Sequence, residues 1–191
     1  NNATNDYAAS LAVIRDVLAK MEILGARDLV LSLHRHPENN FTDEQSRAAF
    51  EAALKQLAAA AAGHRVTLHL RLAAGKPPWS LAEAAKLMDR VGAPHLKLAP
   101  STALLWHRPS AEEASLLKGR MGLLLVAGRQ TDLAGAVWDT HTRLATVPDR
   151  DVVAGWLALD PKTPVALDAV FGSPDEEVLD ALLVRPPLPH R

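Results

Sequence analysis

The residues that could do chemistry in this sequence are histidines, aspartates, one arginine and tryptophans set beside short apolar runs. His34-Arg35-His36 carries two imidazoles, which titrate near neutrality and so could ligate a metal or shuttle a proton. If the preceding run continues as a strand, His34 and His36 face the same side; a solvated loop is the plain alternative. His69, inside Leu68-His69-Leu70, is either an acid/base group or a buried, hydrogen-bonded histidine. Asp168 lies within the apolar run Val165 to Val170, where a carboxylate is costly unless paired or functional. Arg71 is its expected partner in a bidentate ion pair. Trp138-Asp139-Thr140-His141 sets an acid and a base close together. Trp79, Trp106 and Trp138 fall in segments after strands, where an indole can stack on the apolar face of a sugar or simply cap the end of a core. Trp156 fits the buried face of a helix. The catalytic candidates are therefore Asp168, His141 and Asp139, and the substrate-binding candidates His34, His36, His69, Arg71, Trp106 and Trp138. No HExxH, nucleophile-elbow or EF-hand pattern accompanies them, and neither a metal nor a cofactor is assigned.

The elements that must position these residues alternate in hydrophobic period. Residues 7–24 place Leu11, Ile14, Leu18 and Met21 at helical spacing, with Gly25 after them. Asp28 to Leu33 is a short apolar strand. Thr42 and Gln45 open a helix bearing Phe50, Leu54 and Leu57 that stops at Gly63. Val66 to Leu72 is a strand, and Ser80 with Glu83 opens a helix that ends at Gly92. His95 to Ala99 is a strand, Ser110 with Glu113 opens a short helix, and Met121 to Ala127 is the most apolar strand. After a longer loop, Pro148-Asp149 starts a helix with Val152, Val153, Trp156 and Leu157. Val165 to Val170 is the last strand, and Ser173 with Glu176 opens the last helix.

Strands alternating with amphipathic helices, without hairpin signals, predict parallel pairing through right-handed crossovers. The fold class is α/β of TIM-barrel type, an incomplete barrel of about five β/α units where the full barrel takes about 250 residues. The alternative is an open, flavodoxin-like sheet; no GxGxxG or GxxxxGK[ST] loop supports a nucleotide site on it. Residues 1–185 read as one domain and 186–191 as a Pro-rich tail. The candidate residues follow strand ends, where barrel enzymes build their sites. Ser101, Thr102, His107, Arg129 and Gln130 lie in comparable positions.

Three segments carry a resemblance: Leu24-Gly25-Ala26 before a strand, Val91-Gly92-Ala93-Pro94-His95-Leu96-Lys97-Leu98, and Pro164-Val165-Ala166-Leu167-Asp168. From Leu24 onward the chain resembles the C-terminal part of the sugar phosphate isomerase/epimerase family, the xylose isomerase-like TIM barrels. The resemblance implies a divalent metal at the C-terminal mouth, held by carboxylates and a histidine, that polarises a sugar carbonyl and hydroxyl. Carried over position by position, the glutamate of the second strand falls near Arg71. The next strand's aspartate falls near Ser101, and the histidine or asparagine after it near Leu104. The following histidine would lie in Val126-Ala127-Gly128, which has none. Asp168 alone matches a ligand, the final acid.

Composition narrows the class further. A net charge of -1 with dispersed Lys and Arg gives no basic surface for nucleic acid, and the absence of cysteine removes thiol chemistry and disulfides. No apolar run approaches the roughly 18 residues that span a bilayer, so no membrane partner is expected. The Ala- and Arg-rich composition looks bacterial, which leaves the acceptor triplets at Asn2 and Asn40 with little weight. The function these observations predict is a degenerate sugar-isomerase-like barrel serving carbohydrate recognition or structure within a larger protein. Its partners would be a sugar and the remaining N-terminal β/α units or an adjacent domain. The rival from another class is a metal-independent hydrolase or lyase using Asp139, His141 or Asp168 with acids supplied upstream.

Overall fold

Helices begin where the sequence supplies an acceptor for their first N–H groups. Ser110 and Glu113 form a complete capping box: the Glu113 N–H donates to the Ser110 hydroxyl (3.2 Å) and the Ser110 N–H to the Glu113 carboxylate (2.9 Å). Ser80 caps the preceding helix through the Glu83 N–H at 3.3 Å. That helix ends at Gly92, whose φ of 65° lets its N–H turn back to the Met88 carbonyl at 2.8 Å.

The computed structural model describes residues 2–32, 43–72, 80–102, 104–126, 128–131, 137–140 and 150–167. Five helices lie within them: α1 (Asn2–Leu24), α2 (Asp43–Gly63), α3 (Leu81–Val91), α4 (Ala111–Leu117) and α5 (Arg150–Leu157). The strands are β1 (Asp28–Ser32), β2 (Thr67–Leu72), β3 (Leu96–Pro100), β4 (Leu124–Val126), β5 (Gly128–Thr131), β6 (Val137–Thr140) and β7 (Val165–Leu167). The first helix begins five residues earlier than the sequence periodicity suggests. The predicted last helix and the Pro-rich tail lie outside the described residues.

β1, β2 and β3 pair in parallel and in chain order. Single bridges, Leu98 to Met121 and Ser101 to Leu125, carry the order to β4, and β4 pairs in parallel with β7. This sequential order belongs to a barrel; a flavodoxin-like sheet would set its first strand between the second and third. The two bridges differ by one residue in register, so β4 holds an extra residue as it enters, at Gly122-Leu123.

Alternation along β2 and β3 divides the sheet into two faces. Leu68, Leu70, Leu72, Leu96 and Leu98 point outward into a core shared with Leu18 of α1, Leu54 and Leu57 of α2, Leu87 and Met88 of α3, Leu117 of α4 and Trp156 of α5. Each fully buried leucine contributes about 1.5–3 kcal/mol over an exposed one. The opposite face carries Thr67, His69, Arg71 and Lys97, then a separate small apolar cluster of Ala99, Leu123, Leu125 and Ala166. His69 shows that this face is concave. Its ring bonds Asp28 on β1, and its Cε1 would sit 3.0 Å from a Cβ at Gly122, the approach to β4. A flat sheet would hold β2 and β4 about 10 Å apart, so the strands curl inward as a barrel wall does.

One expectation fails. β5 and β6 form an antiparallel hairpin, with Arg129 opposite Asp139 and Gln130 opposite Trp138, where the sequence suggested a loop without hairpin signals. The intervening Asp132-Leu133-Ala134-Gly135-Ala136 lacks the two-residue Asn-Gly type of turn that announces a hairpin. Neither arm alternates cleanly in polarity, so period gave no strand signal either.

Candidate functional site

The concave face is the only described surface that gathers several of the predicted residues. β2 contributes His69 and Arg71 two residues apart, and β3 sets Lys97 beside His69 and Ala99 beside Arg71. Above them Ser101 and Thr102 are fully buried; their backbone N–H groups donate to Leu72 O and Leu125 O, each at 2.8 Å. These bonds lock the end of β3 between β2 and β4.

His69 is 2% exposed, and its Nε2 lies 2.7 Å from Asp28 Oδ1. Its Nδ1 is buried with no hydrogen-bond partner among the described residues. The sequence left an acid/base group and a buried histidine as equal alternatives; the geometry shows a buried imidazole bonded at one nitrogen. Asp28 was not singled out, because it stands 41 residues from His69 and at the start of a strand, where an aspartate is ordinary. Gly122 was missed as well. A Cβ there would lie 2.6 Å from Lys97 Cβ and 2.8 Å from its Cγ. The missing side chain lets the Lys97 stem cross β4, and Nζ reaches the Gly119 carbonyl at 2.9 Å, toward the N-terminal end of the strands.

Trp106 and His107 follow β3. Trp106 is half-buried, and His107 is exposed with Nε2 3.0 Å from Glu113 Oε1. The His107 carbonyl accepts from Trp156 Nε1 at 2.6 Å, and the two rings meet edge to face at 6.2 Å. These contacts fasten the segment after β3 to α4 and α5. Burial pushes the Glu113 carboxyl up, but hydrogen bonds from the Ser110 N–H, the Ser110 hydroxyl and His107 outweigh it and hold the group below its ordinary 4.5. Trp156, expected in the core, is fully buried.

Trp138 and Asp139 lie on β6, in the hairpin that rises after β4. His34, His36, His141 and Asp168 lie outside the described residues, and so does the predicted Arg71–Asp168 pair.

The donor set decides whether the described strand ends suit a divalent metal. Hard divalent ions take several oxygen ligands, mostly carboxylates. β2 ends in Arg71-Leu72, β3 runs into Ser101, and β4 ends in Val126. Among the described residues no three His, Asp or Glu side chains come together as a ligand set. A guanidinium in place of a carboxylate repels the ion, so these strand ends do not fit a metal. No helix among them is long and apolar enough to cross a membrane.

Solved structures of the same architecture accompany this geometry. The chain superimposes on D-allulose 3-epimerase from Methylomonas sp. in complex with D-allulose with a TM-score of 0.66 at 17% identity, covering 92% of this chain and 61% of that one. A xylose isomerase-like TIM barrel protein from Mycobacterium smegmatis in complex with magnesium gives 0.64 at 17%, covering 92% and 64%. D-psicose 3-epimerase with D-tagatose from Clostridium cellulolyticum gives 0.66 at 12%, covering 84% and 56%. Identities this low establish the fold, and the chain spans about three fifths of the length of these structures. No curated protein matches it in sequence. The xylose isomerase-like TIM barrel family, in contrast, matches residues 2–155. With its strands in barrel order and most of its length matched, the chain belongs to the xylose isomerase-like TIM barrel family.

Proposed function

We propose that this chain is a degenerate sugar-isomerase-like barrel that contributes to carbohydrate recognition, or to structure, within a larger protein. One observation carries the proposal: the family's wall of parallel strands is kept, while the ends of β2, β3 and β4 carry Arg71, Ser101 and Val126. Residues 1–185 act as one unit, with 186–191 as a tail. Sugar contacts would come from His34, His36, Arg71, Trp106 and Trp138, with His69 offering only Nδ1 because Nε2 is bonded to Asp28. Asp139, His141 and Asp168 are the acids and base available to any residual catalysis. A sugar ligand is the natural occupant for this fold, since the Methylomonas relative was solved with D-allulose.

Calorimetric titration of the full-length protein with D-allulose, D-tagatose, Mg²⁺ and Mn²⁺ tests the proposal. Sugar binding without stoichiometric metal uptake is expected. Tight metal binding that survives at the ends of β2 and β3 overturns the degenerate site. Steady release of a reducing sugar from a glycoside would instead establish the metal-independent hydrolase.

A further inference from the structure

We draw no further inference here: the strongest candidate, the buried His69 imidazole on the concave face with Asp28 on its Nε2 and no partner at Nδ1 among the described residues, belongs to the site already described, and nothing in the structure shows a space from which a ligand reaches that nitrogen.

Discussion

His69 is held by a single described hydrogen bond, so the partner carboxylate decides how well the buried ring is tolerated. Asp28 is 63% exposed on its side chain and keeps much of its own hydration, which makes the imidazole the side that loses when the bond is cut. Asp28→Ala should destabilise the protein by about 1–2 kcal/mol, read as a lower urea midpoint at unchanged slope. Gly122 is constrained by proximity. Its Cβ position collides first with the Lys97 Cβ, which the strand backbone fixes, and only then with the flexible stem. Gly122→Ala should therefore cost about 1–3 kcal/mol. Lys97→Ala should restore little of this in the double variant, because the nearest clashing atom remains. Full recovery in that double variant would show that the stem alone creates the constraint.

At the scale of elements, α4 is short and depends on its capping box. Ser110→Ala removes the hydroxyl that receives the Glu113 N–H and should cost about 1 kcal/mol in thermal or urea unfolding. Glu113 also makes this element pH-sensitive. Its carboxyl titrates below 4.5 in the folded chain, so in that range the unfolded chain binds more protons. The stabilisation is complete above the ordinary carboxylate range and fades as pH falls through 4.5 toward the folded value. Glu113→Gln should flatten that part of the acid-side loss of stability. An unchanged slope between about pH 5 and pH 3 would exclude the capping box as its source. Glu51 acts in the same direction: hydrogen bonds from Arg90 of α3 (2.7 Å) and Lys55 (3.0 Å) hold its carboxyl below 4.5 and tie α2 to α3.

Across the whole molecule, one apolar core runs from Leu18 of α1 to Trp156 of α5 on the convex side of the sheet. A continuous core with no break between helices predicts one cooperative transition. Unfolding followed by far-ultraviolet circular dichroism and by tryptophan fluorescence should give coincident midpoints. Two separated midpoints would divide the chain into more than one unit.

The alternation of short apolar runs and capped helices was legible in the sequence, because burial imposes its period locally on each element. Ser80, Ser110 and Gly92 end or begin their helices where their chemistry predicts, and Leu68, Leu70 and Trp156 are buried as their positions require. That Arg71 and Ser101 stand at strand ends where the resemblance implies carboxylates was visible too, since residue type needs no coordinates. Pairing between distant residues was not. Asp28 with His69, the Trp156 indole on the His107 carbonyl, and the approach of Gly122 to Lys97 depend on strand order and curvature. The β5–β6 hairpin depends on backbone pairing between segments that carry no polarity period. Residue identity along the chain determined the elements and the absence of carboxylates at the described ends of β2, β3 and β4. Tertiary structure alone decided which side chains share the concave face, because parallel strands meet there only after whole helices have intervened.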